Sequence, residues 1–140
     1  MNTCQGGAYR VLVAAENLVQ AHLLHNALER AGYSVMVAAS GEEAIDLLSN
    51  ESQLPELLLV DEDLPGICAY EVVGTLRYLD RRDEVPVVLR SHSLDQTTRV
   101  ACLAAGVDAW LPIPVERKVL VETVGRLVSP VPAVEQRVAV

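Results

Sequence analysis

An uninterrupted aliphatic run that ends in acids constrains the fold of this chain more than any other segment. Residues 57–60 are Leu-Leu-Leu-Val, residues 61–63 are Asp-Glu-Asp, and a Pro-Gly turn follows at 65–66. Strands that are covered on both faces, as in parallel sheets, have such runs without alternation. Open α/β sheets place their functional groups beyond the carboxyl ends of the strands, which makes Asp61 the first candidate functional residue. A solvated cluster of acids in a turn is the plain alternative.

Strand and helix patterns alternate along the rest of the chain. Short apolar runs predict further strands at about 11–15, 33–38, 86–89 and 108–111. Apolar residues at helical spacing predict helices at about 18–31, from 41 onward, and at about 69–79, 94–105 and 115–128. Five strands that alternate with five helices indicate a doubly wound α/β fold with a parallel sheet.

Capping signals support the predicted helix ends. Asn17 is a predicted N-cap for the first helix, and Gly32 is predicted to follow its C-terminus. Ser40 stands three residues before Glu43, which is the spacing of a capping box for the second helix. Gly106 is predicted to end the fourth helix.

Length and charge exclude several classes of protein. The chain has 140 residues, enough for one domain with a sizeable core, and its formal net charge of −8 argues against direct nucleic-acid binding. No apolar run approaches the roughly 20 residues of a membrane span, and residues 1–7 lack the pattern of a secretory signal. Cys4, Cys68 and Cys102 have no metal-like spacing, so we expect free thiols in the cytoplasm.

Several motifs in fixed order resemble the receiver domain of two-component response regulators. They are Leu59-Val60-Asp61, Leu64-Pro65-Gly66, the strand that ends at Ser91, and the segment Ala-Gly-Val-Asp-Ala-Trp-Leu at 105–111 before Pro114. Asp61 precedes Ser91 by 30 residues, and Ser91 precedes Ile113 by 22. The resemblance covers about residues 9–128, and residues 129–140 are predicted to be a tail or the start of a linker.

The resemblance implies a flavodoxin-like fold with strand order 2-1-3-4-5 and a role in signalling rather than as an enzyme. In this family an aspartate, here Asp61, accepts a phosphoryl group from a histidine kinase by nucleophilic attack of its carboxylate. The family supports this step with magnesium on an acidic pair after strand one, a hydroxyl after strand four and a lysine after strand five.

Only part of that set is present. Ala15 stands at the place of the first acid and Glu16 at the second, Ser91 retains the hydroxyl, and Ile113 stands where the lysine is expected. Protein sites for magnesium often use only one or two carboxylates. We therefore predict that Glu16 and Asp61 bind magnesium weakly. The missing lysine removes a charge that is worth roughly 4 kcal/mol at about 4 Å and an effective dielectric constant near 20.

These departures favour an atypical receiver that acts mainly through protein–protein interaction, with weakened or absent phosphorylation at Asp61. The alternative is a working phosphoacceptor that tolerates the replacements. A flavodoxin-like cofactor binder is disfavoured, because the segment after strand one carries Glu16 where a phosphate would need hydroxyls and backbone donors.

Three further residues near the predicted site carry expectations of their own. Trp110 matches the family's aromatic switch position, although it could equally be a packing residue. Arg90 ends the fourth strand, and one interpretation is that it compensates for the missing charge by reaching into the crevice from the side. The favoured expectation is that it points away from Ser91, with its stem over the sheet edge and its charged head in water. His92 is expected to be exposed.

A surface on the last helix is the predicted interaction site. Val115 and Val119 fall outside the arc of core-facing residues on a helical wheel, beside Lys118, Glu122 and Arg126. Receiver domains commonly dimerise or bind partners through the face of the fourth helix, fifth strand and fifth helix. The expected partners are therefore a histidine kinase or other signalling protein and a second copy of the chain.

Overall fold

Five parallel strands form one sheet in the order β2-β1-β3-β4-β5, as predicted. The computed structural model describes residues 9–50, 54–79, 85–93 and 95–128. The strands are β1 (Arg10–Ala14), β2 (Ser34–Ala38), β3 (Leu57–Asp61), β4 (Val87–Ser91) and β5 (Ala109–Pro112). The helices are α1 (Leu18–Arg30), α2 (Gly41–Leu48), α3 (Ala69–Tyr78), α4 (Gln96–Ala105) and α5 (Arg117–Val128). The predicted tail at 129–140, Cys4 and the predicted start of α4 at Leu94 lie outside the described residues.

The sheet separates two apolar cores. Side chains that alternate along the strands contribute Leu58 and Val60 to a core beneath α2, α3 and α4, and Leu57 and Leu59 to a core beneath α1 and α5. We call these two sides the α2–α4 face and the α1–α5 face. All five residues of β3 are buried, which explains its continuous apolar run.

Most predicted caps form as expected. Asn17 accepts a hydrogen bond from the Gln20 amide at 2.9 Å, and Gly106 adopts the left-handed conformation after α4. Ser40 accepts a bond from the Glu43 amide at 3.2 Å. The Glu43 carboxylate accepts its return bond from the Ala39 amide at 2.6 Å, one residue before the position that a capping box uses.

The first two residues of the predicted last helix are not helical, and α5 begins at Arg117. Val115 therefore lies in the preceding loop, where it is partly buried and packs on the core of the α1–α5 face. The expectation that Val115 is an exposed contact residue was wrong for this reason. Val119 is 38% exposed, as expected.

The ladder between β3 and β4 positions the site. Asp61 and Arg90 are register partners at the carboxyl end of these strands, and Ser91 is the partner of Pro112 in β5. Paired residues in a parallel ladder project to the same face, so Asp61 and Arg90 both project to the α1–α5 face. Ser91 projects to the opposite face.

Candidate functional site

Asp61 is held by a buried, bidentate ion pair with Arg90. Arg90 Nε donates to Asp61 Oδ1 at 2.7 Å, and Arg90 Nη2 donates to Oδ2 at 2.9 Å. Asp61 is 4% exposed and Arg90 is 1% exposed. The geometry is the fork-to-fork arrangement in which each carboxylate oxygen accepts one N–H, which makes the pair both strong and directional.

The expectation that the Arg90 guanidinium lies in water was wrong. The side chain does alternate away from Ser91, as predicted, but the face to which it points is covered by α1 and α5. Asp61 projects to the same face, so the guanidinium is paired instead of solvated. A charged group that is removed from water needs such a partner.

Two opposing effects set the pKa of Asp61. Burial raises the pKa because it disfavours the charged carboxylate, and the Arg90 guanidinium lowers it through its hydrogen bonds and charge. Burial is the larger effect, and the net pKa lies above the ordinary value for an aspartate.

The Ser91 side chain forms a hydrogen bond with Glu62 and not with Asp61. The Ser91 hydroxyl contacts Glu62 Oε1 in a short hydrogen bond, and it also accepts the Ser93 amide at 3.0 Å. Tyr70 donates its hydroxyl to the other Glu62 oxygen at 2.9 Å. Burial and the neighbouring Glu62 carboxylate raise the pKa of the Tyr70 hydroxyl, which keeps it protonated as a donor.

A small cavity of about 110 Å³ adjoins the Ser91 hydroxyl. It is lined by Glu62, Asp63, Ser91, His92, Ser93 and Ile113. Ile113 is partly buried there and contributes neither charge nor a side-chain donor. His92 is exposed, as expected, and its Nε2 lies 4.0 Å from Asp63 Oδ2.

The end of β1 does not complete a magnesium site. Ala15 is buried where the family has its first acid, and Glu16 is exposed to solvent. Across the described ranges, no three His, Cys, Asp or Glu side chains group as metal ligands. Both oxygens of Asp61 are engaged by a cation already, and a divalent ion beside the guanidinium would meet like charge. The residues present therefore do not fit tightly bound magnesium.

Trp110 packs against the core of the α2–α4 face, where it is partly buried. It lies on β5 opposite Leu89 of β4, and β4 separates it from β3, which carries Asp61. This position is consistent with a packing role. The role of Trp110 as an aromatic switch stays a prediction.

Sequence reasoning missed Glu62 and Tyr70 as partners in the site and misplaced Arg90. The available signal for Arg90 was its position at the end of a strand predicted to be buried, one residue before the hydroxyl position. A charged residue in a buried strand indicates a paired charge.

Comparisons with known proteins agree on the family. The family model for the response regulator receiver domain matches residues 11–125 of this chain. The transcriptional regulatory protein AfsQ1 of Streptomyces coelicolor is 37% identical over 97 residues, which are 69% of this chain and 41% of that protein. The chain thus spans less than half the length of this curated relative.

Solved structures show the same architecture. A putative response regulator from Chloroflexus aurantiacus superposes with a TM-score of 0.82 at 29% identity, over 88% of this chain and 99% of that one. The receiver domain of the sensor histidine kinase PA1611 from Pseudomonas aeruginosa, which has magnesium in its active-site cleft, gives 0.79 at 26% identity, over 87% of this chain and 98% of that one.

The strand order, the site at the carboxyl edge and these matches define a two-component signalling module. The chain belongs to the response regulator receiver domain family. Among its described helices, none has the length and apolar character that crossing a bilayer requires.

Proposed function

We propose that this chain is an atypical receiver in which Asp61 does not serve as a phosphoacceptor and which signals by protein–protein interaction. The buried bidentate pair between Asp61 and Arg90 carries the proposal. It accounts for the replacement of the acid by Ala15 and of the lysine by Ile113, because the guanidinium already neutralises the carboxylate.

Phosphorylation of Asp61 would require a carboxylate oxygen to be free for attack on phosphorus. Each oxygen accepts an N–H hydrogen bond from Arg90, and the carboxylate is almost fully buried. One of these bonds would have to break, and the other oxygen would then hold the guanidinium alone. Phosphoryl transfer depends on positioning and on neutralising the equatorial oxygens, and the pair opposes the first requirement.

The hydroxyl that the family uses for phosphate contact is also engaged. Glu62 places a carboxylate oxygen against Ser91, so an anionic group of this chain already occupies the place beside that hydroxyl. Tyr70 holds the other oxygen of Glu62. A phosphoryl group near Ser91 would therefore meet the negative charge of Glu62, which disfavours it by like-charge repulsion.

Three exposed apolar side chains on α4 and α5 support a role in binding partners. Val100 and Leu103 on α4 are 57% and 68% exposed, and Val119 on α5 is 38% exposed. Strand β5 is an edge strand of the sheet. In the sequence it lies between α4 and α5. We call these residues the α4–β5–α5 face and propose that it binds a second copy or a signalling partner such as a histidine kinase.

Incubation with acetyl phosphate and magnesium, followed by intact-mass measurement, tests the proposal. We expect no phosphoryl adduct on the wild-type chain. An adduct that is present in the wild type and absent from Asp61→Asn would overturn the proposal and establish the working phosphoacceptor instead. An adduct of equal amount in the wild type and in Asp61→Asn lies at another residue, and peptide mapping of the wild type must then find Asp61 unmodified for the proposal to stand.

A further inference from the structure

A cavity of about 480 Å³ lies between α1 and α5, separate from the small cavity beside Ser91. Its volume is within the range of sites that bind small organic molecules. Leu24 and Leu120 contribute to an apolar wall, and Gln20 and Asn26 add side-chain amides. We call it the α1–α5 cavity.

The charge of this cavity is opposite to that of the chain. Among the described residues, three arginines line it, Arg30, Arg90 and Arg117, and no acid does, whereas the whole chain carries a net charge of −8. Arg90 is neutralised by Asp61. Arg30 and Arg117 are exposed, and no ion pair is recorded for either within the part of the chain that the structure describes. Within the described ranges, two cations that make no ion pair therefore line the cavity.

Arg90 lines the cavity and has more N–H donors than its recorded partners use. A guanidinium has five N–H donors. Two of them bind Asp61, and Nη1 makes a long contact of 3.5 Å with Gln20 Oε1. Among the described residues, no further protein partner is recorded for the remaining donors of this buried group. Buried donors require acceptors, and Arg90 is one of the residues that line the cavity.

From these observations we infer that the α1–α5 cavity binds a small amphipathic organic anion. The exposed Arg30 and Arg117 line the cavity and offer cationic donors to an acidic group, and the buried Arg90, whose charge is paired with Asp61, adds to the polar lining. The apolar body of the ligand packs against Leu24 and Leu120. The inference does not depend on whether Asp61 is phosphorylated.

The fluorescent probe 1-anilinonaphthalene-8-sulfonate has the required chemistry, an aromatic body with one anionic group. Titration of the folded wild-type chain with this probe should give a saturable increase in fluorescence. The double variant Arg30→Gln/Arg117→Gln should bind the probe about tenfold more weakly, because it loses two charge-assisted contacts. Arg126→Gln is the matched control: Arg126 is on α5, is exposed and does not line the cavity.

Competition separates an anion site from a merely apolar surface. Octanoate should displace the probe from the wild type, and octanol at the same concentration should not. Equal affinity of the double variant and the wild type for the probe would overturn the inference. Equal displacement of the probe by octanol and octanoate would do the same, because either result would show that the probe binds as an adventitious additive only. A weaker affinity in Arg126→Gln as well would attribute the effect to overall charge and overturn it too.

Discussion

Asp61 and Arg90 are register partners on adjacent parallel strands, and their side chains meet on the same face of the sheet as a buried ion pair. The pair is a direct result of parallel pairing, since Ser91, one residue later, projects to the other face and bonds Glu62. The Asp61 carboxylate and the Ser91 hydroxyl thus each have a different partner in this chain.

Removal of the cation should strongly destabilise the fold. Arg90→Leu leaves the buried Asp61 carboxylate unpaired, and we expect a loss of about 3–5 kcal/mol in the free energy of unfolding. Urea denaturation at neutral pH measures it. The double variant Asp61→Leu/Arg90→Leu is the control, because replacing both charges by apolar groups should recover most of the loss. A single variant as stable as the wild type would show that the pair does not hold Asp61.

The stability of the chain should respond to the ionisation of Asp61. The folded pKa of Asp61 is raised by burial above the unfolded value of about 3.9, so the folded state binds the proton more tightly. This contribution is fully present below the unfolded pKa and is lost as the pH rises through the folded pKa. Relative to Asp61→Asn, which cannot titrate, the wild type should become less stable between pH 4 and its folded pKa, as measured by urea denaturation at about five pH values. The opposite trend would show that the guanidinium outweighs burial.

The family's metal site should be recoverable by substitution. In the triple variant Ala15→Asp/Arg90→Leu/Ile113→Lys, the first and third substitutions restore the acid and the lysine of the family. The second removes the cation that competes for Asp61. We expect this variant to bind magnesium at least about tenfold more tightly than the wild type, because two carboxylates become available as oxygen ligands. Fluorescence of Trp110, the single tryptophan, reports the titration. The same variant with Asp61→Asn should lose the gain, and micromolar affinity in the wild type would contradict the assignment.

Association through the α4–β5–α5 face should be independent of Asp61. We expect Val119→Glu and Leu103→Glu to weaken self-association about tenfold or more, because each places a charge in an apolar contact. Sedimentation velocity over a range of concentrations measures this. Val19→Glu on α1 is the control, since Val19 is exposed outside this face. Asp61→Asn should associate as the wild type does. A wild type that stays monomeric and binds no partner there removes the proposed interface.

The elements that were predicted correctly depend on local pattern. Asn17, Ser40 and Gly106 act within a few residues of their own positions, so their roles follow from the neighbouring sequence. The unalternating run of β3 likewise predicts burial on both faces. The element order follows from the alternation of these signals, and the strand order came from the family resemblance.

The parts that escaped prediction depend on distant pairing. Whether Arg90 is solvated or buried depends on which helices cover its face and on which residue of β3 stands opposite in the ladder. Gln20 reaches Arg90 across 70 positions of sequence. No local pattern carries that information, and the same is true of the cavity that α1 and α5 enclose.

The Arg90 guanidinium has one consequence for the timing of any signal. A magnesium ion and a phosphoryl group come and go with the ionic and metabolic state of a cell, whereas a cation on a side chain is present for the lifetime of the polypeptide. If Asp61 is not a phosphoacceptor, as we propose, the site has no reset step and needs no phosphatase. The output of the protein would then depend on how much of it is synthesised and degraded, and on which partners it binds.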